Sequence, residues 1–147
     1  MSNMKQATHA DAELVLKLYD LRREATMRKA RHYLTTEFWP ESAADVVALI
    51  RDFGSERNAY MRQVLGYWEM AASFVQRGIL DADLLLSSTG EPIFLYAKVK
   101  PYLAEIFSAT GTKLFVNVEE ALVKSPKGQD MLARTEKNIA ARKSAKA

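Results

Sequence analysis

The feature that most restricts this chain is the spacing of apolar residues between Ser55 and Arg77. Advancing about 100° per residue, Met61, Val64, Leu65, Tyr67, Trp68, Ala71, Ala72, Phe74 and Val75 fall on one half of a helical wheel. Arg62, Glu69, Ser73, Gln76 and Arg77 take the other half. A strand of period two would scatter these residues over both faces, so the pattern predicts an amphipathic helix with a buried aromatic side.

The same period recurs along most of the chain. A first helix opens near Thr8 or Asp11, either of which suits an N-cap. It is expected to run to about Phe38, because Trp39 precedes Pro40. Ser42 starts a short second helix that Gly54 closes, and Gly78 stands where the Ser55–Arg77 helix should end. Asp81 caps another short helix that ends at Gly90, and a further one spans about Glu91 to Ala109, interrupted at Pro101. The segment "TGTKLFV" reads as a loop or a brief extended piece, and Asn117 is expected to cap "VEEALVKS". The prediction is an all-α, single compact domain of six or seven helices. It has a long N-terminal helix and a polar, basic C-terminal helix or tail. The expected divisions are a polar lead over 1–10, a helical domain over 11–125 and the basic segment over 126–147. Trp68, Phe74, Tyr96 and Phe107 are expected in the core.

Length and composition agree with one globular unit: 147 residues, 48% hydrophobic and 27% charged. The absence of cysteine removes disulfides, thiolate metal sites and a thiol nucleophile. The first residues lack an apolar core of signal-peptide length, and no apolar run approaches the ~20 residues of a membrane span. The expected location is therefore cytoplasmic.

Net charge is only +3, but its distribution is uneven. From Lys124 to Ala147 the chain carries seven Lys or Arg residues against two acids, so the remainder is slightly acidic. Such a segment could hold phosphates, yet no aromatic residue within "KNIAARKSAKA" offers a base-stacking platform. The stretch "LYDLRREATMRKARHY" is also rich in cations, but on a continuous helix they surround the axis instead of forming one face. A solvated helix with intrahelical pairs accounts for them. Arg28, Lys29, Arg31, Arg142 and Lys143 are the candidate phosphate contacts for a nucleic-acid-binding regulator, which requires two distant segments to converge.

The first helix carries two apolar sides. Leu14, Leu18 and Leu21 form one, and Leu16, Tyr19, Met27, Ala30 and Leu34 the other. A helix that is apolar on two sides suits self-association, with Leu14, Leu18 and Leu21 as the expected dimer stripe.

No catalytic constellation stands out. His9 and His32 are isolated from any nucleophile, and Asp81/Asp83 and Glu119/Glu120 lie at helix starts, where capping and the helix dipole explain them. "SATGTK" lacks the spaced glycines of a phosphate-binding loop. Glu69, beside Tyr67 and Trp68, is expected to pair with Arg62 or with a neighbouring helix. A pocket around Tyr67, Glu69 and Tyr96 would suit a small-molecule sensor or enzyme. No metal and no cofactor is expected.

The run "YWEMAASFVQRGILDADLL", followed by a helix containing a proline, resembles a bacterial family of small helical domains of unknown function. The matching positions are Trp68, Glu69, Gly78, Ile79, Leu80, Asp81 and Pro101, within about Tyr67 to Phe107. The resemblance implies an all-α fold and a bacterial source, and it implies no activity. The expected role is a protein-interaction module, most simply a homodimer.

Overall fold

The structure, a computed structural model, describes residues 5–146. Its order is α1 (His9–Leu21), α2 (Ala25–His32), α3 (Ala43–Arg51), α4 (Glu56–Gln76), α5 (Ala82–Ser88), α6 (Glu91–Val99), α7 (Leu103–Thr110) and α8 (Pro126–Lys146). Two π-helical turns, Tyr33–Glu37 and Val118–Val123, and a 3-10 turn, Lys100–Tyr102, complete it. Among the described residues there is no strand, and no helix is long and apolar enough to cross a membrane.

Local chemistry fixes most of the helix starts. Thr8 and Asp11 exchange bonds in a capping box at α1. Ser42, Ser55 and Asp81 each accept from the backbone N–H three residues on, opening α3, α4 and α5. Gly54, Gly78 and Gly111 take left-handed φ angles after α3, α4 and α7, where a side chain would be strained. Gly128 answers a different need. A Cβ there would stand 1.8 Å from the carbonyl oxygen of Leu122, so only glycine lets α8 start against the preceding π-helical turn.

The chain departs from expectation at Arg22–Glu24, where the long first helix breaks without glycine or proline. Glu24 adopts extended backbone, and its carboxylate accepts the N–H groups of Thr26 and Met27 at 3.0 and 2.9 Å. It is a helix N-cap made by a residue seldom used for one. The break re-phases the helix, so that α2 turns Met27 and Ala30 into the core against α4. Pro101 divides the expected Glu91–Ala109 helix into α6 and α7 through the 3-10 turn. These two interruptions, with the expected "VEEALVKS" helix formed as a π-helical turn, give eight α-helices among the described residues where six or seven were expected.

The centre of the molecule is α4. Met61, Val64, Trp68, Ala71 and Ala72 are buried between α2 and the Val118–Val123 turn. Tyr96 is buried and Phe74 partly so, as expected of core residues, but Phe107 is 45% exposed. α7 is short and packs on α3, which places Phe107 on its outer side. The last helix is joined to this core, since α8 packs on α6 and buries Leu132.

Candidate functional site

A polar seam crosses the middle of the fold. Arg31 on α2 donates from Nε to both carboxylate oxygens of Glu91 on α6, at 3.1 and 2.9 Å. Glu91 Oε2 also accepts the indole N–H of Trp68 at 3.0 Å. Beside them Arg22, 4% exposed, lies with its guanidinium 5.5 Å from the Trp68 ring centroid and donates to Tyr67 Oη at 3.4 Å. Tyr67 donates in turn to the Leu18 carbonyl. Burial raises the Tyr67 phenol above its usual range, against the pull of Arg22. The seam ties α1, α2, α4 and α6 together with every charge compensated or stacked.

The three residues expected around a pocket serve separate ties. Tyr67 joins α4 to α1 as described. The Glu69 carboxylate accepts the backbone N–H groups of Asn117 and Val118 at 3.0 and 2.9 Å, supplying from α4 the cap that the Asn117 side chain does not make. Its expected partner Arg62 donates instead to Asn58 at 2.9 Å. Tyr96 packs edge-on against Phe115 with centroids 5.8 Å apart, and burial with Glu119 nearby pushes its phenol up to about 12.

The five candidate phosphate contacts are divided. Arg31 is held by Glu91. Arg28 and Lys29 are exposed and line a shallow cleft with His32, Tyr33 and the acids Glu37 and Glu56. Arg142 lies over Trp39, 3.5 Å from its centroid, and Lys143 lines another cleft beside it. Arg31 is thus occupied within the fold, Arg142 is stacked on an aromatic ring, and Arg28 and Lys29 share their cleft with two acids.

The apolar sides of α1 are also redistributed. Leu18, expected on the dimer stripe, is 1% exposed and closes the core with the half-buried Leu14, while Leu21 at the helix end is 48% exposed. The outward side is the other one, with Leu16 66% and Tyr19 48% exposed. The reason is the position of Asp11. It is buried on the same side as Leu18, held by Lys5 and Thr8, and it accepts the Asp81 N–H at 3.0 Å, which turns that side onto α5. These partners hold its carboxyl well below the usual carboxylate range.

One group had no signal in the sequence beyond a lysine inside the apolar run "PIFLYAKV". Lys98 on α6 is 5% exposed. Its Nζ lies 5.4, 4.6 and 4.7 Å from the ring centroids of Phe38, Trp39 and Phe94. It donates to the carbonyls of Leu34 and of Phe38, the latter at 2.6 Å, where the first π-helical turn ends. No carboxylate pairs with it among the described ion pairs. Burial and the charge of Arg142 push its amine down to about 7, with Glu91 opposing weakly. Lys98 lines a cleft of about 190 Å³ whose walls include Trp39, Pro101, Ile139 and Lys143.

Residues 7–125 match the family described as Domain of unknown function (DUF4760), and the chain belongs to that family. The matched span contains the Tyr67–Phe107 region and stops just before α8, which supplies one wall of the Lys98 cleft. No curated protein and no solved structure matches the chain.

Proposed function

We propose that this member of the family is a bacterial, cytoplasmic protein-interaction module that associates with itself through the outward side of α1. The observation that carries this reading is the exposure of Leu16 and Tyr19, at 66% and 48%, on a helix whose opposite side is sealed by Asp11 and Leu18. Ala12, Leu16 and Tyr19 follow one another at helical spacing and make a narrow stripe along the 13-residue helix, about 20 Å long, with Arg23 just beyond its end.

A two-fold partner suits that stripe. Two copies crossing antiparallel midway between Leu16 and Tyr19 set each leucine against the other copy's tyrosine. In that register Arg23 of each copy lies opposite Ala12 of the other, at the two ends of the contact. Arg23 and Arg22 already stand 5.5 and 5.1 Å from the Tyr19 centroid and hold that ring at the surface. A contact of this length falls below about 1,200 Å², so the dimer should exchange readily and depend on concentration.

Sedimentation equilibrium from low micromolar to near-millimolar protein tests the reading. The expected result is a mass that rises from monomer to dimer, and a Leu16→Glu variant that stays monomeric with an unchanged helical circular-dichroism spectrum. A wild-type chain that is monomeric throughout, or a Leu16→Glu dimer as strong as the wild type, overturns it. The Leu16→Glu substitution is chosen because Leu16 faces solvent, whereas a charge at Leu18 would unfold the core.

A further inference from the structure

The floor of the cleft beside α8 holds chemistry that self-association does not use. Lys98 lines it, with its nitrogen inside a collar of three aromatic rings of which Trp39 also lines the cleft, and its surroundings explain two of the three positions on that nitrogen. An uncharged amine has two N–H donors and one lone pair. The two donors are taken by the Leu34 and Phe38 carbonyls, and among the described residues no hydrogen-bond donor is directed to the nitrogen. A lysine kept only for packing would need neither the carbonyls nor the burial of an amine, because methionine fills an aromatic collar of this kind. With its amine pushed down to about 7, roughly half of Lys98 is neutral at pH 7, against roughly one in 2,500 for an unperturbed lysine. A desolvated amine with a free lone pair is the nucleophile of imine chemistry.

The rest of the cleft limits what such an amine could meet. About 190 Å³ is well below the 300–1,000 Å³ of drug-sized pockets, so a ligand of only a few heavy atoms fits. Trp39, Pro101 and Ile139 make its walls apolar, and the charged groups at its rim are Lys143 and Glu136. Glu136 is engaged by Lys100 at 3.2 Å, which leaves Lys143 as the cation able to receive an anion.

We propose that the Lys98 cleft is a carbonyl-binding site that captures a small oxo acid as a reversible imine, with Lys143 receiving the carboxylate. The Lys98 nitrogen attacks the carbonyl carbon. A C–N bond forms as the C–O π bond opens onto oxygen, and one nitrogen proton passes to that oxygen through water to give a carbinolamine. A proton taken from solvent then lets the hydroxyl leave as water while the nitrogen lone pair closes the C–N double bond, giving an iminium whose remaining N–H keeps one of the two carbonyl partners. The reverse step returns the free amine and the oxo acid, so no oxidant or reductant is needed.

Glyoxylate with sodium cyanoborohydride tests this on the whole folded chain at pH 7.5, followed by peptide mass mapping of its eleven lysines. The expected result is carboxymethylation of Lys98 in at least about tenfold excess over every other lysine, saturating with glyoxylate. Urea-unfolded protein should lose that preference. Labelling that follows surface exposure, with Lys98 spared, overturns the proposal and leaves Lys98 as a cap for the π-helical turn. A Lys143→Ala variant should need about threefold more glyoxylate for half-maximal labelling, as for a solvent-facing charge contact, while formaldehyde labelling of Lys98 stays unchanged. Equal sensitivity to glyoxylate in that variant overturns the oxo-acid assignment. Sedimentation of the labelled chain separates this result from the α1 reading, because the cleft and the α1 stripe have no residue in common.

Discussion

Arg31 and Lys98 are both cations drawn into the fold from helices, and they have been given opposite surroundings. Arg31 meets a carboxylate in a two-pronged contact, and that carboxylate is anchored again by Trp68. Lys98 meets rings and backbone carbonyls and no carboxylate among the described ion pairs. A compensated charge becomes a fixture, because removing either partner strands the other away from water. An uncompensated one is pushed toward its neutral form by burial. The difference separates a structural seam from a candidate chemical site, although both read in the sequence as a basic residue on a helix.

The largest expected effect breaks the compensated side. Glu91→Ala leaves Arg31 and the Trp68 N–H unpaired and should cost about 3 kcal/mol in urea unfolding. Combining Glu91→Gln with Arg31→Met keeps an acceptor for Trp68, removes both charges, and should recover most of that loss. A double variant as weak as Glu91→Ala would show that the ion pair itself is not what the seam requires.

The next effect belongs to the uncompensated side. The folded state holds Lys98 at about 7, below the ordinary lysine value near 10.4 of an unfolded chain. Between those values the unfolded state binds more protons, so stability rises with pH; below pH 7 both states are protonated and the burial cost is fully felt. Unfolding free energy should therefore increase by about 2 kcal/mol from pH 7 to pH 9. Lys98→Met should remove that slope. An equal slope in the variant would assign it to other groups. Asp11 works at the opposite end of the scale: with its carboxyl lowered, its contribution is present above the unfolded value near 4 and is lost as acid protonates it.

A smaller effect sharpens the contrast at a carboxylate that is neither. Glu69 caps the Val118–Val123 turn from another helix, and Glu69→Gln keeps one acceptor oxygen while losing the charge, at about 1 kcal/mol. The smallest acts on the collar itself. Arg142→Ala removes the cation stacked on Trp39 and its repulsion of Lys98, so the pH midpoint of the Lys98 amine should move upward in an NMR titration. A downward move would mean that Arg142 shields the cleft from water more than it repels the amine.

Much of the fold is legible in the sequence. The buried side of α4, the caps at Thr8, Ser42, Ser55 and Asp81 and the turns at Gly54 and Gly78 depend on neighbours within a few residues, which is the range over which spacing is informative. The break at Glu24 was hidden because glutamate rarely caps and neither glycine nor proline marks the place. The site was legible only as inventory. Arg31, Tyr67, Glu69 and Tyr96 stand out in the sequence as residues of interest, but the partners the fold gives them lie 19 to 60 positions away, and no local pattern carries them.

The sequence by itself determined that the chain is helical, where most helices begin and end, and that α1 has two apolar sides. Helical periodicity and capping are short-range and leave that mark in composition and spacing. Tertiary structure decided which of those sides faces solvent, through a buried aspartate that fastens α1 to the start of α5. It also decided that Lys98 loses its water and meets no counter-charge among the described ion pairs, because the carbonyls that receive it lie 64 and 60 residues earlier in the chain. A charged side chain's state depends on what surrounds it in three dimensions, and that arrangement exists only once α2, α6 and α8 have packed.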